Sequence, residues 1–263
     1  MIVSRRPEGL VLVRQVDHQE QCALMARAWG NAAFARIEPF APIAAAAACH
    51  DEGWRGWEEA PGVRDGAPVD FTEIDRPTHV ALYREGIAAA RARDRRTGLL
   101  VSMHGQRLYE GRGGLDPGPP PPRSGREQVV RAFLEEQDGV QRDLRSALGG
   151  GTVLEAWASA GYRLLQTWDA LSIHLTWRGL LAGRDLVLPQ VPREAGDPGL
   201  DLRVSPDGPM ACILSPWPFS GEEVALPVRA RAVEDRPYAS DLDLEESLER
   251  AAWFTLAFRV RPG

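Results

Sequence analysis

The sequence predicts a mainly α-helical protein, a bundle of helices carrying a small strand-rich C-terminal portion, so α+β overall. Three observations lead there. Apolar residues recur at helical spacing through the first two thirds of the chain. Two long segments open on capping-box patterns, Ser124 with Glu127 and Thr152 with Glu155. From about Gly183 the helical period fades, Pro and Gly punctuate, and short strand-like runs replace it. This divides the chain into a helical portion, 1–182, and a strand-rich portion packed on it, 183–263.

Gly9 to Arg14 alternates apolar residues and reads as a strand or extended lead-in. The first helix is expected from Asp17, capped with Glu20, to Trp29-Gly30, with His18, Cys22, Met25 and Trp29 on its inward stripe. A second helix is expected from Pro42 through the alanine run to Gly53, with His50 and Asp51 in its last turn. Residues 54–76 read as a long loop. A third helix starts near Pro77 and carries His79; a fourth follows Arg96-Thr97-Gly98 and carries His104. The stretch 111–123, GRGGLDPGPPPPR, reads as an exposed polyproline-like insertion peripheral to any chemistry. On the long helix after Thr152, Ala158, Tyr162, Leu165, Asp169 and Ser172 share a face. Pro209–Ser215, Glu223–Ala232 and Trp253–Val260 read as strands, with Asp241–Arg250 a short helix. PWPF at 216–219 reads as a packing motif at an edge or turn.

Composition narrows function. The 263 residues carry 31 basic and 37 acidic side chains, a net charge of −6, with no basic stripe, so a nucleic-acid duplex is not an expected partner. Every basic residue is Arg, which excludes a Schiff-base or lysine general-base mechanism. Three scattered cysteines make neither a disulfide framework nor a CxxC metal site. With no apolar run near the ~20 residues of a membrane span and no signal-peptide pattern, a cytoplasmic location and no membrane partner are expected.

Chemistry concentrates in the histidines. His18, His50-Asp51, His79 and His104 sit on separate predicted helices, and Asp169 lies on the apolar face of the longest one. A carboxylate on such a face must be paired, hydrogen-bonded or bound to metal. Imidazoles and carboxylates converging from several helices are what a metal site in a helical protein requires. His174, five residues past Asp169, points away from that face and is left out.

A helical His, then an HD pair, then a distant helical Asp resembles the HD-domain superfamily of metal-dependent phosphohydrolases. The additional His79 and His104 resemble its two-metal members, the HD-GYP phosphodiesterases and the di-iron oxygenases related to myo-inositol oxygenase. The segments QxDH, HDEGW at 50–54, YREGI at 83–87 and GLLVSMHG at 98–105 look more closely like a bacterial family, number 3891 among the domains of unknown function. The resemblance implies an HD-like bundle and one metal on His18, His50, Asp51 and Asp169. It implies a second metal on His79 and His104, bridged by Asp51, with Asp51, His79 and His104 as the catalytic set. The expected cofactor is one or two divalent ions, with Mn, Mg, Zn and Fe undistinguished. The expected activity is hydrolysis of a small phosphorylated substrate. The alternatives are a di-iron oxygenase and a non-catalytic metal-binding regulatory module. Asp17 and Glu20 are candidates to orient ligands; Trp54, Tyr83, Arg84 and Arg107 are candidates to meet substrate, with Arg55 a further cation close in sequence. The chain departs from HD-GYP proteins in carrying Trp54 where they have Lys, and in lacking the GYP signature.

Overall fold

A curled sheet, and not a helical bundle, organises this chain. In the computed structural model, which describes residues 1–111 and 126–263, the elements run in order as follows: β1 (Ile2–Arg6), β2 (Gly9–Val13), α1 (Gln15–Ala28), α2 (Ala41–Ala47), the hairpin β3 (Val63–Arg64) and β4 (Ala67–Pro68), α3 (Arg76–Arg93), α4 (Arg95–Arg107), α5 (Gln128–Ala147), α6 (Thr152–Thr176), β5 (Leu186–Val191), β6 (Leu200–Pro206), β7 (Ala211–Ser215), β8 (Val224–Val233), α7 (Asp241–Arg250) and β9 (Trp253–Pro262). Among the described residues seven strands form one mixed half-barrel sheet, ordered β1-β2-β8-β9-β7-β6-β5, in which β7 and β9 run parallel and the other neighbours antiparallel. The expected mainly helical, HD-like bundle is therefore corrected: the sheet is a full layer, and the N-terminal hairpin belongs to it. The Pro-rich stretch from residue 112 and the capping residue Ser124 lie outside the described residues.

Two of the missed strands have separate causes. β1 turns Ile2, Ser4 and Arg6 inward, so its buried side is mostly polar and shows no apolar alternation. Burial is tolerated because the Arg6 guanidinium donates to the carbonyl of Thr176 (3.3 Å) and to Ser4 Oγ (3.2 Å). β5 contains Pro189, which is compatible with its place at the sheet edge.

Helix starts were governed by distant partners. α1 begins at Gln15, and the free amides of Gln15 and Val16 donate to the Glu58 carboxylate at 2.6 and 3.4 Å. Asp17 therefore caps nothing and pairs with Arg14. α6 starts after Gly151 (φ +88°), with Thr152 already helical and Glu155 turned to Arg145. α3 and α4 follow local rules: Asp75 accepts from the amide of Thr78 and Asp94 from that of Thr97. α2 ends at Ala47, so His50 and Asp51 lie in the turn beyond it, ahead of a 3-10 turn at Glu52–Trp54.

One continuous apolar core joins the helices to the inner face of the sheet. The inward residues of β8, Val224, Leu226, Val228 and Ala230, alternate with outward ones and meet α1. α6 is central, touching α1, α2, α4 and β5. Trp168 on α6 is fully buried against Trp29 at 5.5 Å between ring centroids, and Trp29 meets Phe219 at 5.6 Å, so the PWPF segment is packing. Among the described residues no helix is long and apolar enough to cross a membrane.

Candidate metal centre

Four elements converge where α1, the turn after α2, the end of α4 and the middle of α6 meet. They bring His18, His50 with Asp51, His104 and Asp169 together, with all but Asp169 nearly inaccessible. His18 Nε2 lies 3.0 Å from Asp169 Oδ1, 3.8 Å from Asp51 Oδ2 and 3.4 Å from His50 Nε2. His50 Nε2 lies 3.5 Å from Asp51 Oδ2 and 3.8 Å from Asp169 Oδ1. Separations of 3.0–3.8 Å are of the order of the donor–donor distances around one transition ion, and two triads, His18 with Cys22 and His50, and His50 with Asp51 and His104, offer donor atoms within 4.8 Å of one another that could hold one.

Hydrogen bonds behind the histidines fix their tautomers. The carbonyl of Ala47, an acceptor, lies 3.1 Å from His50 Nδ1, so Nδ1 carries a proton. For His18 the logic runs through three links. Gln21 Nε2 donates to the Leu226 carbonyl on β8 (2.7 Å), which presents Gln21 Oε1 to the Ser172 hydroxyl (2.7 Å). Having donated its proton, Ser172 Oγ accepts from His18 Nδ1 at 2.6 Å. Both Nε2 atoms of the neutral rings therefore aim lone pairs at each other and at two carboxylate oxygens. Only a cation or added protons reconcile them. Asp51 is fixed as well: its amide donates to Gln19 Oε1 (2.9 Å), and Tyr83 donates its hydroxyl to Oδ1 (2.8 Å), leaving Oδ2 toward the histidines. Ser172→Ala is accordingly expected to weaken metal affinity about 10- to 100-fold with the fold retained, measured by competition with a chromogenic chelator.

Without metal, protons take the load. Burial disfavours a charge on His50, but the neighbouring Asp51 and Asp169 carboxylates outweigh it and raise its pKa to about 9. Burial likewise opposes the Asp169 charge, yet His18 at hydrogen-bond distance and His50 close by hold its pKa below the ordinary carboxylate range. Burial lowers His79 and His104 to about 4, so both are neutral near pH 7. The raised His50 stabilises the metal-free fold below about pH 6.5 and loses that contribution as pH rises through about 9. The lowered His79 and His104 contribute above about pH 6.5 and lose their share as pH falls through about 4. Metal-free protein should therefore melt highest near pH 6.5, and His50→Gln should flatten only the alkaline side of the thermal-melt profile.

The other expected residues divide. His79 lines the same cavity, with Nδ1 hydrogen-bonded to the Tyr109 hydroxyl, and Tyr83 reaches Asp51. Trp54 is buried between Trp57 and His79 and supports the site from behind. Asp17 is held by Arg14, Glu20 is exposed, and the ligand-orienting work falls to Gln19, Gln21 and Ser172. Arg55, Arg84 and Arg107 pair with Glu52, Glu136 and Glu110 and do not line the cavity. Two residues were missed. Cys22, one helical turn past His18, offers a sulfur within 4.8 Å of donor atoms of His18 and His50, which the i, i+4 spacing does signal. His174 stands in the cavity wall despite its offset from Asp169. That cavity, about 680 Å³, has Asp51, His104 and Asp169 in its lining, so the cluster opens onto a space of ligand size.

A family model described as "Protein of unknown function (DUF3891)" matches residues 1–235, which contain every residue of the cluster. The chain belongs to that family. Neither the curated proteins nor the solved structures provide a match.

Proposed function

We propose that this DUF3891 protein is a metal-dependent hydrolase of a phosphate ester, with one divalent ion held by His18, His50, Asp51 and Asp169. The observation that carries the reading is the convergence of two imidazole lone pairs, tautomer-fixed through Ala47 and Ser172, on the buried Asp51 carboxylate and the partly buried Asp169 one. Two nitrogens and two oxygens suit Zn, Fe or Mn better than Mg. Such an ion, when bound, polarises a phosphoryl oxygen and lowers the pKa of water to about 7.

The protein's own groups do the rest. Tyr83 holds Asp51 by its outer oxygen, so the inner one keeps its direction. His104, neutral and edge-on to His50 at 4.9 Å between centroids, stands in the cavity wall as a proton acceptor at neutral pH. The proton His104 takes up is the one it can return to the leaving group, while neutral His79, hydrogen-bonded to Tyr109, lines the same cavity and orients what binds there. A di-iron arrangement is less well supported: Asp51 Oδ1, the oxygen that would reach a second ion, is engaged by Tyr83. An open cavity on the cluster favours turnover over a purely regulatory metal site.

The test is metal analysis of purified protein with an aryl-phosphate hydrolysis assay and oxygen uptake in parallel. About one transition ion per chain and chelator-sensitive phosphate release are expected. Two coupled irons with oxygen consumption would replace this reading by the oxygenase one.

A further inference from the structure

We propose that the exposed rim of the cavity is an anion subsite built from Arg76, Arg178 and Arg184, which docks a phosphate or carboxylate carried by the substrate at a distance from the reacting bond. The three come from separate places, the first turn of α3 and the two ends of the segment between α6 and β5, and all line the cavity that has Asp51, His104 and Asp169 in its lining. All three are exposed whereas the cluster is buried, so the cavity has a cationic mouth and a ligand-bearing floor.

Position and lack of a partner together single these arginines out: Arg27, Arg91, Arg96 and Arg229 also make no carboxylate pair among the described residues, but they do not line the cavity. In a chain with more acids than bases, Arg5, Arg14, Arg55, Arg84, Arg145 and Arg236 all make ion pairs. Among the described residues Arg76, Arg178 and Arg184 make none with a carboxylate; Arg178 instead lies over the Trp177 ring, 4.5 Å from its centroid. Asp51 and Asp169 belong to the floor, and Asp185 is exposed beside the arginines, so the exposed part of the lining sets three guanidiniums against one carboxylate. Unpaired guanidiniums around a concavity are suited to bidentate capture of an oxyanion.

A second feature points to the same ligand. His174 is 8% exposed, lines the cavity, and its Nε2 has no hydrogen-bond partner among the described residues. Its ring is held in place: a Cβ at Gly179 would stand 2.1 Å from His174 Nδ1, so the segment closes on the imidazole only because residue 179 is Gly. Phe71 and Trp177 also line the cavity and meet edge to face at 5.2 Å, which gives the wall an aromatic surface. The substrate class is thus a molecule with a planar or apolar body and an anionic group remote from the scissile bond. Which end reacts rests on the metal-hydrolase reading; the subsite itself does not.

Calorimetric titration separates the two. The probes are phenylphosphonate, which is not hydrolysed, benzoate, and neutral benzyl alcohol, on protein as purified and after chelation. Phenylphosphonate or benzoate should bind with and without metal, benzyl alcohol should not, and the stronger of the two anions identifies the group. Affinity should fall about tenfold for each guanidinium removed in Arg76→Gln, Arg178→Gln and Arg184→Gln, the loss of one charge-assisted hydrogen bond each. Arg84→Gln, outside the cavity, should leave it unchanged, and metal content should be constant throughout. Unaltered affinity in all three variants, or anion binding that disappears with the metal, would overturn the subsite. Arginine-dependent binding in a protein that holds no metal would retain the subsite and reject the hydrolase reading.

Discussion

Asp169→Asn should reduce metal affinity by two to four orders of magnitude while leaving a folded chain. The carboxylate supplies one of the two negative charges that offset a divalent ion, and its Oδ1 is the donor nearest to His18 Nε2, at 3.0 Å. Breaking a buried, hydrogen-bonded charge pair by removing one partner costs about 3–5 kcal/mol, which converts to that range of affinity. Asn has nearly the same volume, and the Asp169 side chain is 15% exposed, so no cavity opens in the core. His18 and His50 keep their Nδ1 bonds to Ser172 and Ala47, so the rings should stay oriented and the loss is one of charge. Chelator-competition titration followed by metal analysis reads the effect, and far-ultraviolet circular dichroism checks the fold. His174→Ala, on the rim side of the cavity, serves as the comparison and should retain parental metal content. Equal occupancy in Asp169→Asn and the parent would remove Asp169 from the ligand set.

The cluster was legible in the sequence because its members follow burial logic that one chain displays alone. Asp169 on the apolar face of a long helix has to be compensated, and His18 with Cys22 repeats at i, i+4 on the inward stripe of α1. What was not legible depends on contacts distant in sequence. Nothing near Gln15 announces that its amide is capped by Glu58, and nothing near Gln21 announces that its amide group anchors a histidine to β8. The sheet was underestimated for the same reason: burial of Arg6 on β1 is offset by a hydrogen bond to the end of α6, which no local pattern records. β9, placed between β8 and β7, makes the sheet continuous, yet its alternation in isolation reads as one short strand among three. Cation placement failed likewise. Arg84 and Arg107 lie close in sequence to the histidines but are occupied by Glu136 and Glu110, whereas Arg178 and Arg184 reach the cavity through the turn after α6.

Gly53→Ala is expected to be the most damaging small substitution outside the cluster. The HDEGW and YREGI segments, separate in sequence, touch through their glycines: a Cβ at Gly53 would lie 1.9 Å from the Leu82 carbonyl oxygen and 2.9 Å from the Gly86 amide nitrogen. Both are backbone atoms of α3, so no side chain can rotate away. A Cβ at Gly86 would in turn stand 3.1 Å from the Gly53 nitrogen. Ordinary contact requires about 3.4–4 Å, so the turn and helix must separate, and overpacking of that kind costs typically 1–3 kcal/mol, occasionally more. The upper end applies to a clash with rigid backbone, which corresponds to a fall in Tm of about 5–10 °C for a chain of this size. The shift also reaches the metal centre. Asp51 is two residues before Gly53 and accepts from Tyr83, three residues before Gly86, at 2.8 Å; separating the two segments stretches that bond and lets the carboxylate turn. Metal affinity should therefore fall together with stability. Gly56→Ala is the matched control, since Gly56 has helical angles (φ −67°, ψ −39°) and a Cβ there meets nothing within 4 Å. It should melt at or slightly above the parent temperature, because Ala reduces the entropy of the unfolded chain. Calorimetric melts of both variants, with and without added zinc, decide the matter. Indistinguishable Tm and metal content for Gly53→Ala and Gly56→Ala would show that the glycine contact does not set the position of Asp51.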